Sequence, residues 1–432
     1  MKETTLQLTA NPSAARPDTL LSGVARRLVL SALSKLEGGC LVVSEPAGSW
    51  RLGIGEGAEA QLTVHEPSVW ADVALRGTVG FGESYVRGSV TCDDLVGLVR
   101  LLLRERKVVQ ALDGRMARLA QPALRLFHAL RENTLQGSRT NIEAHYDLGN
   151  EFYALWLDPT LSYSAAIFER SDMTLEQASR AKNARVCAKL GLAPGQHLLE
   201  IGSGWGSLAL HAAQAYGARV TTTTLSRQQF AYVRERVDAA GLGDQIQVLC
   251  ADYRELRGNY DKVVSIEMVE AVGHRHYDTY FAQLARLLKP DGLALIQSIT
   301  IEDQRYESAK DDVDFVKRYI FPGSCIPSLT ALATSATRAS DLRLVQLEDI
   351  TLHYAMTLRA WHQRFDEQRA QVRALGHSDA FCRMWEVYLS YCEAAFWERY
   401  LGDLQLVFAR PGARALPQLL PLPKLPGEAV AK

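Results

Sequence analysis

The feature that most constrains this chain is an alternation of short apolar runs and helix-patterned runs that begins near residue 197. His197–Ile201, Ala218–Leu225, Ile246–Ala251, Asp261–Ile266 and Gly292–Thr300 read as strands. Ser207–Ala215, Gln229–Ala240 and Tyr277–Leu288 read as helices between them. Strands separated by helices pair in parallel, since a parallel partner needs a long crossover. The expected class is α/β: a doubly wound, Rossmann-like sheet. Arg343–Tyr354 and Leu404–Arg410 are candidates for final strands. A charged, aromatic insertion over 302–340 precedes them, and a helical stretch over 357–401 lies between them.

The 432 residues suffice for one large domain and a smaller one. Residues 1–17 are polar and are expected to be disordered. Residues 18–99, with β-prone runs at Gly39–Ser44 and Gln61–His65, read as a smaller N-terminal α/β domain. Residues 100–140 carry nine Arg or Lys against three acids and read as a basic helical linker. The larger domain spans 141–410, and 411–432, with five prolines, is expected to be disordered.

A net charge of −1 argues against nucleic acid, which usually wants a basic stripe. Met1–Asp18 has no apolar signal region, and the best apolar run, Leu95–Leu103, is interrupted by Arg100. Seven cysteines without a CxxC pair argue against a disulfide framework or zinc. His274 and His276 read as solvated loop histidines, so no metal is expected. A cytoplasmic location follows as the expectation.

The sharpest local signal is Leu198–Gly206, which ends a strand and opens a helix with glycines at 202, 204 and 206. Glycine lets backbone approach a ligand, and a helix start supplies free N–H groups. Steric packing alone is an equal explanation of the turn by itself. The spacing differs from the dinucleotide pattern, and no Lys-Ser/Thr follows as in a P-loop. The acid Glu200, two residues before Gly202, suits a ligand with a cationic amino group, as on S-adenosylmethionine.

Further motifs surround it: His145–Asn150 (HYDLGN), Leu161–Ser164 (LSYS), Thr224–Gln229 (TLSRQQ), Ala251–Arg254 (ADYR), Ser265–Gly273 (SIEMVEAVG), Lys317–Gly323 (KRYIFPG) and Tyr354–Trp361 (YAMTLRAW). In this order they resemble the cyclopropane fatty acid synthase family, which includes the mycolic acid cyclopropane synthases, over about residues 140–410. Gly77–Gly88 resembles the N-terminal domain of the bacterial phospholipid enzymes.

The resemblance implies a class I S-adenosylmethionine methyltransferase domain. It implies that Gly202 and Gly204 hold the cofactor backbone and that Tyr163 and Ser164 close over its amino-acid end. Thr224, Leu225 and Gln229 would serve ribose and adenine, with Asp252 and Tyr253 flanking the base. Ordinary packing is the alternative for Tyr253, and a solvated helix position for Gln229. Glu267 is expected to contribute mainly backbone near the sulfonium.

The implied reaction is attack of an acyl-chain double bond on the sulfonium methyl, followed by proton loss. In the family the base is a bound bicarbonate. Glu270, Tyr354 and the backbone of Ile299 match its cage, whereas Ala165 and Gln297 stand where the family has Cys and His. Gln297 keeps a donor but cannot shuttle a proton. Two products stay open: a cyclopropane acyl chain, slightly favoured, or C-methylation without ring closure. A structural, salt-bridged Glu270 is the alternative to its catalytic reading. Another small hydrophobic acceptor is a further alternative, as is a non-catalytic lipid-binding protein on this scaffold. The expected partner is an unsaturated phospholipid at the inner membrane face, met peripherally. The basic linker would touch anionic headgroups, and the N-terminal domain would dock lipid or form a homodimer.

Overall fold

The structure, a computed structural model, describes residues 20–54, 59–112, 148–414, 416–417 and 421–422. The expected disordered N-terminus, most of the basic linker, the first half of the His145–Asn150 motif and most of the Pro-rich tail lie outside the described residues. The chain divides into two compact units, Met1–Pro122 with His377–Tyr391, and Ala123–Gly376 with Cys392–Lys432.

In the first unit, β1 (Cys40–Glu45), β2 (Gly48–Leu52), β3 (Glu59–Val64) and β4 (Val90–Cys92) form a sheet in the order β2-β1-β3-β4. Only β1 and β3 run parallel. The Gly77–Gly88 motif belongs to the helix Ser68–Arg87, which kinks where Gly77 adopts φ 57° and stops at left-handed Gly88.

The second unit carries β5 (His197–Ile201), β6 (Arg219–Thr224), β7 (Ile246–Cys250), β8 (Tyr260–Ile266), β9 (Leu288–Ile301), β10 (Arg343–Asp349) and β11 (Leu401–Ala409). Their order is β10-β11-β9-β8-β5-β6-β7. Strands β5 to β9 pair in parallel, as the alternation predicts, while β11 and β10 pair antiparallel beyond β9. Neighbouring residues of one strand enter opposite cores. Leu199 and Val263 pack with Tyr280, Phe281 and Leu284, whereas Leu198 and Val264 pack with Leu208, Ala212 and Val233. Helices on both faces explain why successive residues of β5 and β6 are buried rather than alternating with exposed ones.

The strand expected over Arg343–Tyr354 ends at Asp349; a helix, Thr351–Glu367, takes over. The single helical stretch expected over 357–401 is three helices, Thr351–Glu367, Arg369–Ala374 and Asp379–Trp397. Phe381, Trp385, Tyr388 and Tyr391 fall in the first unit, and Trp361, Phe365 and Phe396 are buried in the second. Among the described residues no helix is long and apolar enough to cross a membrane.

Candidate active site

The site lies at the carboxyl ends of β5, β6 and β8, where open α/β sheets bind ligands. The glycines after β5 have different reasons for being glycine. Gly206, at φ 86°, has no room for a Cβ, which would stand 3.0 Å from Val233. Gly204, at φ 49°, has open space there, as a ligand-facing turn requires. Gly202, at φ 95°, packs against Met268, so the turn after β8 lies beside the glycine turn. Glu200 is buried and accepts a 2.6 Å hydrogen bond from the Thr222 hydroxyl. Burial pushes its carboxyl up to about 7, against the pull of that bond and of buried Lys182.

At the end of β6, the Thr224 hydroxyl donates to Gln229 Oε1 at 2.8 Å. Gln229 is 3% exposed, and its Nε2 has no partner among the described residues. A buried, unpartnered amide fits an absent ligand better than a solvated helix position. Leu225 follows, half-buried, at the start of the loop. Asp252 is buried and forked by Arg254, whose Nε and Nη2 donate at 2.8 and 2.7 Å. Tyr253 packs into the core, its ring 5.5 Å from Tyr280. Asp252 is thus engaged by Arg254, while the Tyr253 hydroxyl, like the Gln229 amide nitrogen, has no partner among the described residues.

The 158–168 loop is pinned from within. Asp158 accepts from the Thr160 and Ser162 amides and the Ser179 hydroxyl at 2.9, 3.3 and 3.2 Å. Ala166 N–H donates to Thr357 and Phe168 N–H to His353. Ser164 is buried, and the half-buried Tyr163 ring packs on Tyr153, Trp156 and Trp361 at 5.5, 5.6 and 5.3 Å. Tyr354 is stacked on Phe396 at 4.4 Å and stands edge-on to Trp361. These faces form a wall able to tolerate cationic charge.

The centre differs from expectation. Besides the backbone expected of it, Glu267 brings its side chain into the centre. Its carboxylate accepts from the Ala165 amide at 2.8 Å, from Gln297 Nε2 at 2.7 Å and from the Tyr354 hydroxyl at 2.8 Å. Its backbone is left-handed, at φ 47°. The Ile299 amide, expected to face a bound anion, donates to Glu270 Oε1 at 2.6 Å, joined by the Ser298 hydroxyl at 3.0 Å. Burial and the charge of Glu267 push Glu270 up to about 8. No described ion pair engages it, so a salt-bridged role is not what holds it.

Three residues here escaped the sequence reading. Asp403 is fully buried on β11 opposite Ile299, hydrogen-bonded to Glu267 and 3.4 Å from Gln297 Nε2. Gln405, opposite Gln297, donates to its Oε1 at 2.9 Å. Lys182 is buried, and burial pulls its amine below the usual lysine range, against the carboxyls of Glu267, Glu200, Asp158 and Asp403. Strand pairing brings the β11 pair in, and no local motif announces it. His274 and His276 lie in a 3-10 turn and are half-buried rather than solvated, with His274 3.7 Å from Asp311.

The strand-end cradle fits S-adenosylmethionine: open space at Gly204, an orphaned Gln229 amide and a buried acid. Bicarbonate does not fit. The Ala165, Gln297, Tyr354 and Ile299 donors are already engaged by Glu267 and Glu270, and a third carboxyl, Asp403, adjoins them.

The family model described as mycolic acid cyclopropane synthetase matches residues 133–406. Tuberculostearic acid methyltransferase of Mycobacterium tuberculosis is 37% identical over 362 residues, 81% of this chain and 83% of its own. Cyclopropane-fatty-acyl-phospholipid synthase of Escherichia coli K12 is 35% identical over 365 residues, 83% of this chain and 90% of its own. The structure of a cyclopropane synthase from Mycobacterium tuberculosis is 32% identical, covers 63% of this chain and 98% of its own, and superimposes with a TM-score of 0.59. A mycolic acid cyclopropane synthase solved in complex with SAH and CTAB has the same coverage and TM-score. Sheet order, strand-end cradle and relatedness agree: the chain belongs to the mycolic acid cyclopropane synthetase family and is an S-adenosylmethionine-dependent methyltransferase.

Proposed function

We propose that this enzyme methylates a double-bond carbon of an unsaturated phospholipid acyl chain, visiting the membrane peripherally from the cytoplasm, and leaves an alkene in the product. S-adenosylmethionine, when bound, supplies an electrophilic methyl group. Gly202, Gly204, Thr224 and Gln229 hold and orient it, while Glu200 faces its cationic end. The Tyr163 and Tyr354 rings, backed by the fully buried Trp361, receive the apolar chain and tolerate the positive charge that develops on it.

The observation that carries this reading is the saturated Gln297 amide. With its donors given to Glu267 and Asp403, it leaves no cradle for the anion that serves ring closure in the resembled enzymes. The relative at 37% identity is itself named a methyltransferase, which supports the open-chain product.

The test incubates purified enzyme with S-adenosylmethionine and vesicles of monounsaturated phosphatidylglycerol, then analyses the fatty acids by mass spectrometry and NMR. A gain of one CH2 unit with olefinic signals retained is the expected result. The same gain with cyclopropyl signals would replace this reading by ring closure. Methylation of a water-soluble acceptor alone would remove the lipid.

A further inference from the structure

We propose that the carboxylate of Glu267 is the catalytic base, a built-in replacement for a bound anion. The proposal rests on the acyl-methylation reading and names the group that completes it. Three observations support it.

First, the donors meet on Glu267. The positions that the family resemblance implies for the anion cage are Tyr354, Gln297 and residue 165. In this chain all three point a donor at the Glu267 carboxylate, at 2.8, 2.7 and 2.8 Å. Such an arrangement fixes a carboxylate in one orientation, as a positioned base requires.

Second, its backbone is strained. A non-glycine residue at φ 47° persists only where its surroundings over-determine it, and such strain gathers at functional sites. A glycine would hold the turn without cost, so the side chain is what the strain keeps in place.

Third, the turn is beside the cofactor cradle. Met268, the next residue, packs on Gly202. This places Glu267 one residue from the contact between its turn and the cradle that would hold the transferred methyl group.

The step balances. The alkene π-pair forms the new C–CH3 bond, and sulfur keeps the pair of the broken S–CH3 bond. A C–H bond beside the cation then breaks; its electrons make the product π-bond and its proton goes to Glu267. Around the base stand Asp403, Glu270, Lys182 and the Tyr354 hydroxyl. Burial holds Glu267 above the usual carboxylate range, against the pull of its three donors and Lys182, and the coupled carboxyl of Asp403 is raised too. The hydrogen bond between them needs one proton, which lies on Asp403 while Glu267 is the free base; after the step each carboxyl carries one.

The experiment compares wild type, Glu267→Gln and Glu267→Gly on the same vesicles, in buffer stripped of carbon dioxide and after adding bicarbonate or formate. Cofactor binding is measured by calorimetry, and bicarbonate binding by carbon-13 NMR. Wild type is expected to work at full rate without bicarbonate and to bind none. Glu267→Gln is expected to bind S-adenosylmethionine within a few-fold of wild type and to methylate about 100-fold or more slowly. Its residual product is expected to include a hydroxylated, methyl-branched chain in which water has captured the cation. Glu267→Gly, whose backbone suits the turn, is expected to bind bicarbonate and regain activity with it. A wild-type rate that depends on bicarbonate would overturn the proposal. So would a Glu267→Gln enzyme that turns over normally. A folded wild type that binds cofactor but leaves the vesicles unmethylated would instead overturn the acyl reading, and the base with it.

Discussion

Thr224 fixes Gln229 by its oxygen end, 2.8 Å from hydroxyl to Oε1, and leaves the amide nitrogen without a partner among the described residues. An amide held like this is a ready donor for a ligand. Gln229→Leu is expected to weaken S-adenosylmethionine about 3- to 10-fold, the worth of one hydrogen bond. Calorimetry reads the change, and kcat at saturating cofactor should stay near wild type.

The two later glycines of the turn should separate binding from stability. Gly206→Ala places a Cβ 3.0 Å from Val233 at a left-handed φ, so thermal unfolding should show a loss of at least about 1–2 kcal/mol. Gly204→Ala meets no atom within 4 Å. It should cost less stability relative to its effect on cofactor affinity.

Tyr354→Phe keeps the stack on Phe396 but removes one donor from Glu267. A carboxylate that loses a donor becomes easier to protonate. The acidic limb of the pH–rate profile should therefore move to higher pH, with cofactor affinity unchanged.

His353 accepts the Phe168 amide at 3.1 Å, and burial pulls its pKa from 6.5 down to about 4. Only the unfolded chain takes up a proton between those values. The stability owed to the neutral ring is therefore complete above about pH 6.5 and lost as pH falls towards 4, to a limit of about 3 kcal/mol. Denaturant melts of wild type and His353→Gln across that range should converge as pH falls.

The sheet and the glycine turn were readable because their signals are local. Apolar runs alternate with helices, and Gly202 and Gly204 sit where a strand becomes a helix. The ends of β10 and of the late helices were less readable, since Arg343–Tyr354 carries no breaker where Asp349 gives way to Thr351. The centre of the site was legible only in part. Glu270 and Tyr354 stood in motifs and Gln297 at the position of the family's His, but the role of Glu267 depends on a positive φ that its residue type conceals. Asp403 and Gln405 became site residues through register with β9, a pairing of positions some hundred residues apart in the chain.

That register has a consequence for biosynthesis. β11 is the last strand in sequence yet lies between β9 and β10. A nascent chain can lay down the five parallel strands and the glycine turn long before Leu401–Ala409 leaves the ribosome. Until then Glu267 lacks its Asp403 neighbour and Gln297 its Gln405 support. A product truncated before Leu401 would therefore carry the strand-end cradle without Asp403 and Gln405.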